Sequence, residues 1–379
     1  MFLFGKNKKN EQKGAAGIVQ DLAQNVATGF TDDLKQAMVL KFEDKISNLD
    51  IANKIPLSDD TISSILNQCT NGELEKKIEA FKKGKGKICS LTISKDNMKK
   101  IRNLVKTEDL EKALNMSGSA AQIGTLAVLV VAVGLLYKIN GKLSSLNQNI
   151  SQISSFLDDE YKGKLQTSIK EVRRFTTFQS ETIKDKDLRN RELINLKAIE
   201  KRCEDQINHA NNAINTVMGN EKKFFSSYVN YTTQIEKWFN YQQLLLQLLQ
   251  QISELTFTLN LGVISRENSY WNYNETVPDV ENIRVEMRNW HKGNIEHYNV
   301  DLEKGIHIRS SKVHDVAKFI PINSIKDTIT TEKLSAEMLD MITHQTKETN
   351  EDMLNASDNP FDKDVNLIVD EGELFFVPN

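Results

Sequence analysis

Residues Ala113–Tyr137 read ALNMSGSAAQIGTLAVLVVAVGLLY, 25 positions without one charge. From Ile123 onward the run is almost entirely aliphatic, and no other part of the chain is as apolar. As a helix, Ala120–Tyr137 would span about 27 Å, against roughly 30 Å for the hydrocarbon core of a bilayer. Ala120 and Gly124, four positions apart, give the small-residue face on which membrane helices approach each other. The run is therefore expected to insert in a membrane through Ile123, Leu126, Val128, Leu129, Val130, Val131, Val133, Leu135 and Leu136. Lys99, Lys100, Arg102, Lys106 and Lys112 precede it, and only Lys138 and Lys142 follow closely. That asymmetry would keep the N-terminal region in the cytoplasm. The competing expectation is a helix buried in its own bundle, permanently or until a trigger releases it.

The apolar pattern does not stop at Tyr137. Leu136, Ile139, Leu143, Leu146, Ile150, Ile153 and Leu157 are spaced alternately three and four apart, the seam of a heptad repeat. Ser, Asn, Gln and Lys fill most of the other positions, so the seam carries no charge code for choosing a partner. Both a membrane-proximal stalk and a bundle helix fit it, and either allows self-association or a protein partner through helices.

Proline is absent from 57–277, and between Gly141 and Gly262 the only glycines are Gly163 and Gly219. Proline costs about 3 kcal/mol in a helix interior, so this gap predicts long helices. A second apolar run, Leu193, Leu196, Ile199, Cys203, Ile207, Ala210, Ile214 and Val217, predicts one of them, ended by Gly219-Asn220. A third is expected from Glu221 to about Leu261. Its centre, Leu244 to Leu259, is apolar on every side yet carries Gln247, Gln250, Gln251 and Glu254, which suits the middle of a bundle better than lipid.

Upstream, Ile18, Leu22, Val26, Phe30, Leu34, Met38, Phe42 and Ile46 recur four apart and predict an N-terminal amphipathic helix within 1–54. Residues 55–112 read as a small basic α/β unit with a short strand at Ile88–Ile93. Lys82, Lys83, Lys85 and Lys87 precede that strand as a face for anionic headgroups. The segment 113–137 is the hydrophobic unit and 138–261 the long-helix bundle or coiled coil. Beyond lies a mixed α/β region, 262–379, with a strand-like Gly305–Arg309, a helix near Thr331–Thr346 and an acidic tail. Val365–Val369 and Glu373–Val377 flank a glycine turn there and predict a terminal hairpin. The fold class expected is mainly α, a long-helix bundle with one hydrophobic helix and a small mixed C-terminal region.

Charge and motif searches narrow the chemistry. The net charge of −3 argues against a nucleic-acid binder, although residues 1–115 carry 20 Lys/Arg against 16 Asp/Glu and 331–379 carry 3 against 12. Cys69, Cys89 and Cys203 form neither a metal pattern nor a disulfide framework and suit a reducing compartment. The start, Met-Phe-Leu-Phe-Gly-Lys, reverses the order of a secretory signal peptide. Gly84-Lys-Gly-Lys lacks phosphate-loop spacing, and no GxSxG, HExxH or CxxC is present. His291, His297, His307 and His314 lie near each other in sequence without metal-ligand spacing. No catalytic, cofactor or metal residue is therefore assigned, and no small-molecule substrate is evident.

In outline, long proline-free helices around one apolar segment resemble the bacterial α-helical pore-forming toxins, over roughly 15–260. That resemblance implies a chain that is soluble before it inserts, although those toxins carry an apolar hairpin where this chain has a single run. Two functions are expected: a non-enzymatic membrane-associated scaffold anchored by 113–137, or an α-helical pore-forming or membrane-permeabilising protein. In both the lipid bilayer is the first partner.

Overall fold

The computed structural model describes residues 38–43, 55–56, 88–93, 95, 98–99, 119–153, 159–178, 182–183, 185–220, 223–309, 330–347, 359–370 and 373–377. The described chain is mainly helical, with seven helices and two small antiparallel sheets. The helices are α1 (Ser119–Ile153), α2 (Asp159–Thr177), α3 (Lys186–Gly219), α4 (Phe225–Leu259), α5 (Arg266–Ser269), α6 (Trp271–Tyr298) and α7 (Ala336–Thr346).

Helix α4 is the axis of the bundle, and every other helix packs on it. Its sequence explains why. Leu244, Leu245, Leu246, Leu248, Leu249, Ile252, Leu255, Phe257 and Leu259 are all buried and leave only a narrow polar stripe, Gln243, Gln247, Gln250 and Glu254. Three apolar clusters lie along it. Tyr228 at its start meets Met338, Met341 and Ile342 of α7. Ile235 and Phe239 meet Ile214 and Val217 of α3 and Ile283 and Met287 of α6. From Tyr241 onward it joins the largest cluster, shared with α1, α2 and α3.

Helix α3 returns alongside α4 after the turn at Gly219-Asn220, and its inward face is Leu196, Ile199, Cys203, Ile207, Ala210, Ile214 and Val217. Asp185 caps its N-terminus, its side chain accepting from Leu188 N at 2.9 Å. Helix α2 falls in a stretch whose periodicity passes as irregular. Leu165, Ile169, Val172 and Phe175 nevertheless form a narrow buried stripe on it. Tyr161 of α2 bonds His209 of α3 at 2.8 Å and meets Trp238 of α4 edge-on at 4.9 Å. These rings tie α2, α3 and α4 together.

The first sheet has the order β1-β3-β7-β8-β2, all neighbours antiparallel. Its strands are β1 (Met38–Glu43), β2 (Ile55–Pro56), β3 (Ile88–Ile93), β7 (Val365–Asp370) and β8 (Glu373–Val377). Leu40 pairs with Leu91, and Leu91 pairs with Leu367. The second sheet is β4 (Val300–Asp301), β5 (Ile306–Ile308) and β6 (Thr331–Lys333).

Several expectations change here. Residues 38–43, expected within a helix, form a strand: Met38, Leu40 and Phe42 alternate, so over six residues a period of two fits as well as a period of four. The remainder of the 1–54 helix, the Lys82, Lys83, Lys85 and Lys87 face, Leu157 and His314 lie outside the described residues. Strands β1, β2 and β3 complete a sheet with the C-terminal hairpin. The 262–379 region opens on a 28-residue helix, α6, with Pro278 in its eighth position. Tertiary packing of Tyr273, Val277, Val280, Ile283 and Met287 overrides the proline penalty there. The helix expected from Thr331 begins at Ala336, after β6, with Ser335 as its cap.

The transmembrane expectation is also corrected. Among the described residues no helix is long and apolar enough to cross a membrane. The hydrophobic stretch is the first half of α1, and its described apolar side chains are turned into the bundle instead.

Candidate functional site

From Ser119 the segment expected to act on membranes forms one 35-residue helix with the heptad seam as far as Ile153. Val128, Val131, Ala132 and Leu136 are fully buried, and Leu135 is partly so. Ile139, Leu143, Leu146 and Ile150 continue the same buried face, in the same cluster as Leu244 to Leu261 of α4 and its exit turn. Of the other residues singled out on this segment, Ala120, Ile123, Gly124, Leu126, Leu129, Val130, Val133 and Ile153 lie on α1. Lys138 and Lys142 are exposed on the opposite side. The seam is satisfied inside one chain: α1 packs against α4 and α2, and against β7, β8 and the 3-10 turn at Pro360–Asp362.

The cover that α4 offers is not purely apolar. Gln242, Gln251, Ser253 and Thr258 are all buried within it. Gln242 donates to Asn211 of α3, and Thr258 donates to the Glu254 carbonyl at 2.7 Å. Gln251 Oε1 and Ser253 Oγ are buried with no hydrogen-bond partner. Each such orphan costs about 1–3 kcal/mol, so α4 is packed less stably than an all-leucine helix would be.

At the other end of α4 a buried polar chain clamps α6 and α7 in place. Gln345 of α7 donates its amide to Glu236 Oε2 at 2.7 Å and to the Thr232 carbonyl at 3.1 Å. Its amide oxygen must therefore accept from His291 Nε2–H, 2.8 Å away. His291 Nδ1 is then free to accept from the Tyr228 hydroxyl at 3.0 Å. Glu236 Oε1 receives His344 Nδ1 and the Asn240 amide, each at 2.9 Å. Burial alone would raise the Glu236 carboxyl, but the bonds from His344 and Gln345 outweigh it and hold it below its ordinary value. The bond to Glu236 in turn raises the half-exposed His344 imidazole.

Of the four histidines taken together in sequence, the three described ones are dispersed. His291 is locked in the clamp and His297 is exposed on α6. His307 stacks on Phe225 at 3.7 Å with Glu332 at 3.4 Å. Among the described residues no three His, Cys, Asp or Glu side chains gather as a metal site.

Sequence reading missed Tyr228, Glu236 and Gln345. The signal was there for α4: Tyr228, Thr232, Glu236 and Asn240 recur every four residues along a helix whose neighbouring stripe is apolar. Polar residues at core spacing announce a buried network, but not its partners. Set against protein-family models, curated proteins and solved structures, the chain matches none of them.

Proposed function

We propose that this chain is a non-enzymatic membrane-permeabilising protein that stores its apolar helix α1 in a bundle and delivers it to a bilayer surface. One observation carries the reading. Val128–Leu136 and Ile139–Ile150 share one helix and one apolar cluster with α4, so membrane contact and bundle packing draw on the same side chains. Lipid tails are as apolar as leucine, so exchanging α4 for lipid costs α1 little. The main cost lies in opening the bundle, and the unpaired polar atoms on α4 lower it. In this reading α1 lies in the interface and loosens it, alone or together with further copies. The bilayer is the partner and the protein works at its surface.

The test is dye release from vesicles containing phosphatidylglycerol, together with flotation of the full-length chain. Release and co-flotation are expected. Leu143→Ala, which opens a cavity in the stored state and leaves residues 113–137 untouched, should speed release. A folded chain that neither floats nor releases dye would end the proposal. Release with an unchanged rate in L143A would remove α1 as the agent.

A further inference from the structure

A cleft of about 480 Å³ lies between α3, the exit of α4, α5 and the first turn of α6. The Glu200 carboxyl is on its wall and is 8% exposed. Trp271, 59% exposed, and Ile194, 70% exposed, also line it. The lining contributed by α4, α5 and α6 is neutral and mostly amide or hydroxyl, and Lys197 is the one cation on it.

Glu200 is poorly served for an acid in such a place. It takes a hydrogen bond from Asn272 and, after it, a weaker attraction from Lys197. Burial, and after it the neighbouring Glu204, push its carboxyl up to about 7. Glu204, one turn further along α3, has its own Oε1 buried without a partner. Lys197 attracts Glu200 weakly, Lys201 attracts and Asp205 repels Glu204, and burial keeps the Cys203 thiol neutral. A buried acid whose Asn272 and Lys197 partners do not offset its burial makes this cleft wall a place where a further cation is favoured. An exposed indole beside it supplies the aromatic face that organic cations prefer.

We propose that this cleft binds a small organic ammonium compound, its charged head against the Glu200 carboxylate and its methyl or methylene groups on the Trp271 ring. An inorganic cation gains nothing from the indole. A neutral aromatic gains nothing from the acid. The inference is independent of the membrane reading, since no residue of α1 lines the cleft.

The probe is choline, titrated calorimetrically into the full-length chain, with its neutral isostere 3,3-dimethylbutan-1-ol as control. Choline is expected to bind and to release a proton at neutral pH. Affinity should rise about tenfold from pH 6 to pH 8 as a carboxyl of pKa about 7 ionises. Glu200→Gln should abolish both the binding and its pH dependence. Trp271→Ala, at an exposed position that leaves folding intact, should weaken binding several-fold. Preference for phosphocholine over choline, lost in K197A, would identify the ligand as a zwitterion of the same class. Absence of heat with choline at millimolar concentration overturns the proposal. Equal binding of the neutral isostere, or binding that survives E200Q, overturns it too.

Discussion

Gln345→Leu removes the centre of the clamp without opening a cavity, because leucine has nearly the same volume. The wild-type amide makes three buried contacts, to Glu236 at 2.7 Å, His291 at 2.8 Å and the Thr232 carbonyl at 3.1 Å. In the variant the Thr232 carbonyl keeps its helical bond. His291 Nε2–H and Glu236 Oε2 do not keep theirs. A stranded neutral donor costs about 1–3 kcal/mol and a lost bond to a charged acceptor about 1.5–3 kcal/mol. The expected destabilisation is therefore about 3–5 kcal/mol, a large part of the roughly 5–15 kcal/mol that holds a typical domain. Urea unfolding followed by circular dichroism measures it, and hydrogen exchange should show α7 losing protection before α3. A loss below about 1 kcal/mol, with α7 still protected, would refute the reading of these contacts as a clamp.

The clamp also fixes a pH dependence. Glu236 is held below its ordinary 4.5, so its contribution is whole above that value and is lost as pH falls through the lowered one. His344 is raised above 6.5, so its contribution is whole below 6.5 and is lost as pH rises through the raised one. Stability from the pair should be greatest between these ordinary values, and H344A should flatten the alkaline side in a thermal melt taken across pH. Gly262→Ala should destabilise by at least about 2 kcal/mol in urea. The residue sits at φ +67°, and an added Cβ would lie 2.7 Å from the Phe361 ring. Arg266 pairs with Glu254 at 3.1 Å and lies over the Phe257 and Tyr270 rings, so R266A should cost about 1–3 kcal/mol by the same assay. Cys203 is fully buried, its thiol pushed up to about 12 by burial. Maleimide mapped by mass spectrometry should label it only at the rate at which the bundle opens, and vesicles should accelerate that rate if α1 leaves α4.

Periodicity alone sufficed where burial is set within one element. The proline-free middle, the inward face of α3 and the apolar centre of α4 are legible because a helix must bury its apolar stripe, and 3.6 residues per turn fixes which side chains compose it. The hairpin at Val365–Val377 is legible for the same local reason: two short apolar runs meet across a glycine-bearing turn. The destination of the apolar run was not legible. Hydropathy measures how strongly residues 113–137 avoid water, and both lipid and the flank of α4 satisfy that demand. Only packing showed that Val128, Val131, Ala132 and Leu136 face the bundle. The five-stranded sheet was hidden too, because pairing Leu91 with both Leu40 and Leu367 joins segments far apart in the chain, and strand periodicity carries no information about partners. The clamp and the Glu200 cleft belong to the same class. Glu236, His291 and Gln345, or Glu200 and Trp271, acquire their chemistry from desolvation and from one another, and both exist only once α3, α4, α6 and α7 have docked.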